Sequence, residues 1–264
     1  MRVALVSDIH GNLTALEAVI ADLRRRAPDL VLHGGDLALM GPRPAEVIDR
    51  IRDLGWPGVV GNTDELLWRP DEHARQLERA PRLASLLELI FDAYAPDTRD
   101  RLGQARLSWL RGLSAEHSGG ELTVVHAQPG DLWRAPMPDA SDDELSRIYR
   151  PLGSPRVAYG HIHRPFARTV DGLTVANSGS AGLPFDGDPR AAYLLLDDGV
   201  PTTIRVEYDI DREVRALHAA GHPDAERLAE TRRTGRFVPP GAKPTSDDSA
   251  AGSPGVDRQL RGDG

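Results

Sequence analysis

Seven residues of this 264-residue chain stand where a metal centre could be assembled. Asp8 and His10 follow a first apolar run, Asp36 a second, Asn62 a third and His126 a fourth; His161 and His163 follow a fifth. The chain has no cysteine, so thiolate sites and disulfides are excluded and any metal must be held by His, Asp, Glu or Asn. Seven such donors are too many for one tetrahedral ion. They suit two divalent ions that share Asp36 as a bridge. Mixed imidazole and carboxylate donors favour first-row metals over Mg²⁺ or Ca²⁺. Mn²⁺ heads the expectation, with Fe, Zn, Ni and Co as alternatives. Two ions about 3.5–4 Å apart are the arrangement that clamps the attacking and leaving oxygens of a phosphoryl displacement.

Such scattered residues meet only if the fold brings strand ends together. Arg2–Val6 is a short continuous apolar run, the pattern of a strand buried on both faces. Leu13, Leu16, Val19, Ile20 and Leu23 then recur at helical spacing, and Thr14 with Glu17 makes a capping-box pattern at the helix start. Asn12 is an alternative cap or a substrate contact. The cations Arg24–Arg26 close that helix, where they complement its dipole. Residues 30–32, 44–54 and 59–60 continue the alternation as strand, helix and strand. The first third therefore predicts β-α-β-α-β and a parallel, doubly wound sheet. In such sheets ligands bind beyond the carboxyl ends of the strands, where all seven residues lie. His161 and His163, two apart, are expected to project the same way from one strand end.

Residues 65–112 read as helical, with Leu83, Leu86, Leu87, Ile90 and Phe91 on one stripe and Pro81 and Pro96 as breaks. Short strands then dominate, at 122–125, 156–159, 166–170, 173–176, 192–196 and 203–208, with one short helix near 142–149. Residues 211–233 return to helix, broken at Gly221-His222-Pro223. The expected fold is α/β, two packed mixed β-sheets flanked by helices (an αββα sandwich) with the site at strand carboxyl ends. One domain is expected over residues 1–234, and a disordered tail rich in Pro, Gly, Ser and Asp over 235–264. Net charge is −8, unsuited to gripping long nucleic acid. No apolar stretch approaches the roughly 20 residues that span a bilayer, and no signal peptide is visible. These features predict a cytoplasmic protein with no membrane partner.

Asp8-Ile-His10, Gly35-Asp36, Gly61-Asn62, His126 and Gly160-His161-Ile-His163 together resemble the five blocks of the calcineurin-like metallophosphoesterase superfamily. Over roughly residues 1–210 the chain is most similar to the small bacterial phosphodiesterase-like branch, to which the stretch Asn177-Ser-Gly-Ser180 also points. The resemblance implies that Asp8, His10, Asp36 and His163 hold one metal, and Asp36, Asn62, His126 and His161 the other. It implies attack on phosphorus by a metal-bridging hydroxide, with Asp36, Asn62 and His161 central to catalysis.

Two departures bear on the substrate. Relatives that cleave phosphomonoesters carry a His after the Asn, where this chain has Thr63, whose hydroxyl is no general acid near neutral pH. Where they carry Asp-Arg before Gly-Pro, it has Leu39-Met40, and Arg43 is the nearby candidate to clamp phosphate. Asn12, Arg43 and Thr63 are thus the expected substrate contacts. The expected substrate is a small phosphodiester, nucleotide-derived, with phosphomonoesters as a further class. Three alternatives stand beside it: a serine/threonine-type protein phosphatase, a dinucleoside polyphosphate hydrolase, or a non-catalytic scaffold of the same fold. Among other residues, His33 is expected to pack or to orient a ligand, and Asp64 to hydrogen-bond near the ligands. Trp133 and Tyr159 are expected to pack in the core or rim, and His73, His117, His218 and His222 to lie at the surface.

Overall fold

The computed structural model describes residues 1–241. β1 (Arg2–Val6) pairs in parallel with β2 (Leu30–His33). Between them α1 (Leu13–Arg26) is capped by Asn12, whose side-chain oxygen accepts from the Ala15 N–H at 2.9 Å. The capping box of Thr14 and Glu17 does not form, because both side chains are drawn into tertiary contacts. Thr14 donates to Glu213 and Glu17 accepts from Arg50, each at 2.7 Å. After α2 (Pro44–Leu54) the expected third strand shrinks to isolated bridges, Gly58 to His33 and Val59 to Ser114. Val59 and Val60 alone, between Gly58 and Gly61, are too few to extend a ladder. The first third therefore supplies only two strands of its sheet.

The rest of that sheet comes from much later in the chain. β8 (Ala191–Asp197) pairs antiparallel with β1, and β9 (Val200–Val206) with β8, giving the order β2-β1-β8-β9. The second sheet is built from β3 (Glu116–Gly119), β4 (Leu122–Val125), β5 (Arg156–Tyr159), β6 (Phe166–Val170) and β7 (Leu173–Asn177). Its order is β3-β4-β5-β7-β6, with β4, β5 and β7 parallel. β3, polar and largely exposed, carries no apolar pattern to betray it.

Side-chain alternation sorts these strands into layers. Val3, Leu5 and Leu32 point inward and meet Val124, Ala158 and Ala176 of the second sheet. Ala4 and Val6 point outward into a core shared with α1 and α2. Val157, Tyr159 and Val175 point out from the other sheet under α7 (Asp142–Tyr149). The result is two packed mixed sheets with helices on both outer faces.

Two helical additions border this frame. The first runs through α3 (Asn62–Glu65), α4 (Glu72–Arg79), a 3₁₀ turn at Pro81–Leu83, α5 (Ala84–Glu88), a π-helical turn at Leu89–Tyr94 and α6 (Ala95–Arg111). Pro96 causes no break: it sits in the first turn of α6, where its missing N–H is tolerated. The kink falls instead at Gly103, with φ 66°. The second addition is α8 (Ile210–Ala219) and α9 (Ala225–Thr234). The expected tail lies outside the described residues from position 242. Before that point Phe237 packs edge-on against Phe185, with ring centroids 5.5 Å apart. Among the described residues no helix is long and apolar enough to cross a membrane.

Candidate metal centre

The loops after β1 and β2 are laced together by backbone. Asp8 N donates to Gly35 O, His10 N to Asp36 O and Gly11 N to Leu37 O, at 3.0, 3.0 and 2.9 Å. Asp8, His10 and Asp36 each have positive φ (56°, 48° and 54°), as do His161 and His163 (66° and 56°). Non-glycine residues rarely adopt that conformation, which costs roughly 1–2 kcal/mol per residue. Gly61 and Gly160 let the backbone come close: a Cβ on either would collide with the carboxylate of Asp36 or Asp8 respectively.

Asp8, His10, Asp36 and His163 are all buried, and one ligand atom from each lies within 4.8 Å of the others. His10 Nδ1 lies 3.0 Å from Leu39 O, and His163 Nδ1 is hydrogen-bonded to Leu183 O. A carbonyl only accepts, so both Nδ1 atoms carry protons and donate. The Nε2 atoms then face each other at 3.2 Å, with Asp8 Oδ1 3.1 Å from His163 Nε2 and Asp36 Oδ2 3.7 Å from His10 Nε2. Lone pairs and carboxylate oxygens this close repel one another unless a proton or a cation lies among them. One shared proton neutralises part of this cluster; a divalent ion suits all four groups.

Beside it lies a second convergence. His126 Nδ1 donates to Gly34 O at 2.8 Å, leaving its Nε2 2.9 Å from Asn62 Oδ1 and 3.5 Å from Asp36 Oδ1. His161 Nδ1 reaches the same Asn62 oxygen at 3.0 Å. Two imidazoles, the Asn62 oxygen and Asp36 thus converge on one point, a donor set that fits a second cation with Asp36 between the two clusters. His161 and His163 do not point the same way. They lie beyond the end of β5, and their left-handed backbone turns them toward different clusters.

Electrostatics follow burial and charge. Burial opposes ionisation of Asp8, but the neighbouring His163, His126 and His10 outweigh it and hold the carboxyl below its usual range. Burial pushes His10 down to about 4 against the pull of Asp36, and pushes His161 to about 4 with help from His126. For His126 burial acts downward too, but Asp36 and Asp8 prevail and raise it. Asp64 sits directly behind Asp36. Its carboxylate accepts from the N–H groups of Asp36, Leu37 and Gly61 at 2.8, 3.0 and 3.2 Å. Burial and then the Asp36 charge push it up to about 7, against those three bonds.

The centre forms the floor of a cavity of about 710 Å³, lined there by His10, Asp36, Asn62, Thr63, His161 and His163. Thr63 faces this cavity, its N–H on Asp36 Oδ1 at 2.9 Å and its buried hydroxyl without a partner. Two expected substrate contacts are elsewhere. Asn12 is spent on capping α1 and on Gly182 O. Arg43 turns away to Glu213, at 2.6 Å, because that buried carboxylate needs a counter-charge. His33 packs with both ring nitrogens unpartnered and orients no ligand. Tyr159 is a core residue donating to Pro136 O, whereas Trp133 lines the cavity. His222, expected at the surface, is buried against Tyr94.

Sequence reasoning assigned no role to several residues that support the site. Asn177 donates to Gly160 O and accepts from Gly179 N, clamping the loop that carries His161. Ser180 Oγ donates to Asp8 O and accepts from Leu183 N, joining both sides of the first cluster. Arg232, fully buried, donates to Met40 O at 2.9 Å. Asn177 and Ser180 did leave a signal, as polar residues crowded directly after an apolar strand. Arg232 left none.

The calcineurin-like phosphoesterase superfamily domain matches residues 1–199. A metallophosphoesterase structure from Sphaerobacter thermophilus superposes with a TM-score of 0.71 at 27% identity, covering 89% of this chain and 99% of that one. An uncharacterized protein of Methanocaldococcus jannaschii, MJ0912, is 29% identical over 80% of this chain and 89% of its own length. Phosphodiesterase YfcE of Escherichia coli is 24% identical over 77% of this chain and 91% of its own. With the family match spanning most of its length and Asp8, His10, Asp36 and His163 drawn together as a candidate metal site, the chain belongs to the calcineurin-like phosphoesterase superfamily.

Proposed function

We propose that this phosphoester hydrolase cleaves small phosphodiesters at a dinuclear centre of divalent cations, Mn²⁺ being the ion to load first. Asp8, His10, Asp36 and His163 would hold one cation and Asp36, Asn62, His126 and His161 the other. When bound, such a pair supplies Lewis acidity toward phosphoryl oxygens and lowers the pKa of water. The observation that carries this reading is the meeting of imidazole nitrogens, carboxylate oxygens and the Asn62 oxygen at one cavity floor.

The protein's own groups set geometry and selectivity. Carbonyls of Leu39, Leu183 and Gly34 hold three imidazoles in the tautomer that presents Nε2. The Thr63 N–H fixes the plane of the Asp36 carboxylate. At the position beside Asn62, Thr63 offers a hydroxyl of ordinary acidity and so no general acid for a poor leaving group. That favours diesters with good leaving groups, as does the phosphodiesterase name of the relative YfcE. The test is turnover of bis-aryl against mono-aryl phosphate by Mn²⁺-loaded protein. Diester turnover is expected to dominate, and Asp36→Asn to abolish it while lowering bound metal. Protein that holds two metals yet hydrolyses neither ester refutes the reading.

A further inference from the structure

Above its polar floor the cavity changes character. One wall is the stripe Leu83, Leu86, Leu87 and Ile90, and the facing wall holds Met137, Ala140 and Ile148. An amphipathic stripe ordinarily buries itself against protein. Here Leu87 and Ile90 are buried, whereas Leu83 and Leu86 remain half-buried and look into open space. The helical wall is tied to the rest of the molecule at both ends. Arg79 of α4 is paired with Asp131 at 2.5 Å, and Tyr94 is hydrogen-bonded to Asp224 and Arg227 of the last helical pair.

We propose, resting on the phosphodiesterase reading above, that the substrate is a phosphodiester with an extended aliphatic arm seated between these walls. A space of this size, continuous with the reacting floor, is far larger than a phosphate needs and falls in the range of organic-ligand sites. The leucine stripe with Ile90 and the facing Met137, Ala140 and Ile148 give it a continuous aliphatic stretch, although Gln128, Glu144 and Arg147 also line it. The rings at hand are taken up with one another: Trp133 stacks on Phe91, and Phe185 stacks on His163 with centroids 4.3 Å apart. Gln76, which also lines the space, donates its amide to Glu72 at 3.1 Å. The half-buried Leu83 and Leu86 are the side chains there that gain most from a hydrocarbon arm.

The test uses alkyl 4-nitrophenyl phosphates with methyl, butyl and octyl arms, kept below their aggregation limits, on Mn²⁺-loaded full-length protein. In each turnover water adds to phosphorus, nitrophenolate departs and the alkyl phosphate remains. Each methylene that enters the chamber is expected to raise kcat/KM by up to about fourfold, mostly through KM, until the walls are filled. The double variant Leu83→Gln, Leu86→Gln is expected to flatten that dependence. Calorimetric binding of octylphosphonate against methylphosphonate gives a second readout that needs no turnover. Methyl ester hydrolysed with no gain from longer arms overturns the aliphatic chamber and leaves the reaction standing. No hydrolysis of any ester, with octylphosphonate still bound tenfold more tightly than methylphosphonate, supports the chamber and overturns the reaction. A thymidine 4-nitrophenyl ester tenfold better than the octyl ester overturns the chamber in favour of a base site.

Discussion

Asp64 does not line the cavity above the site, yet its replacement by Asn is expected to weaken metal binding sharply. The Asp64 carboxylate divides its work: Oδ2 accepts from Asp36 N and Gly61 N, and Oδ1 accepts from Leu37 N. An amide keeps only one of those oxygens. Whichever way it turns, its NH₂ opposes at least one buried N–H. A buried donor left unpaired costs about 1–3 kcal/mol. The segment affected is the one that sets the Asp36 side chain, common to both ligand clusters. Part of the cost will therefore appear in metal affinity, where loss of an outer-shell partner typically weakens binding about 10–100-fold. At 1.4 kcal/mol per factor of ten, that corresponds to about 1.4–2.8 kcal/mol, within the same range. The assay is Mn²⁺ titration by calorimetry at pH 8, above the Asp64 pKa of about 7, beside urea unfolding of the metal-free protein. Asp64→Asn protein that binds Mn²⁺ within twofold of the parent, with unchanged unfolding, would show that Asp64 does not hold Asp36 in place.

Three further outcomes follow from buried groups. His33 is buried without a partner and its pKa is pushed down to about 3, so the folded state refuses a proton that the unfolded chain accepts below about 6.5. Its contribution is complete above pH 6.5 and is lost as pH falls; at pH 5 the deficit is about 1.5 pKa units, or about 2 kcal/mol. Urea unfolding at pH 7.5 and 5.0 should show the parent losing that much more than His33→Leu, and equal losses would sink the argument. Glu213, fully buried, pairs with Arg43 and accepts from Thr14, and its charge supports the buried Arg232. Glu213→Gln should therefore cost about 3 kcal/mol of stability, and a change below about 0.5 kcal/mol, ordinary for surface substitutions, contradicts that account. Thr63→His should raise aryl monophosphate turnover relative to diester by at least about tenfold, the low side of what a placed general acid supplies. An unchanged ratio would mean that leaving-group protonation is not what position 63 controls.

The first strand and the candidate ligands after it were legible because β1 is buried on both faces, and a four-residue apolar run ending at Ser7-Asp8 admits few other readings. The two-sheet sandwich was legible because an alternating strand-helix first half and a strand-dominated second half both fit two face-to-face sheets with helices outside. Other features depend on partners far along the chain. Thr14 and Glu17 have capping spacing, but Glu213 and Arg50 claim their side chains, and Asn12 takes the cap. Arg43 stands beside the site in sequence, yet Glu213 turns it away. Val59 and Val60 look like a strand, but lacking a continuous neighbour they make only bridges. The opposed directions of His161 and His163 rest on their φ angles, and nothing in Gly-His-Ile-His announces a left-handed turn at each.

Those φ angles account for how the centre is held. Nine described non-glycine residues have positive φ, and five of them are Asp8, His10, Asp36, His161 and His163. A chain gains nothing locally from placing ligands in the left-handed region, so the surroundings must impose it. They do so through bonds that cross between loops: Asp8 N to Gly35 O, His10 N to Asp36 O, Gly160 N to His126 O, and His161 N to the Asp8 carboxylate. Each ligand-bearing loop is thereby fixed by another ligand-bearing loop, not by its own strand alone. Strain of this kind turns side chains toward one point that relaxed strand ends would leave apart.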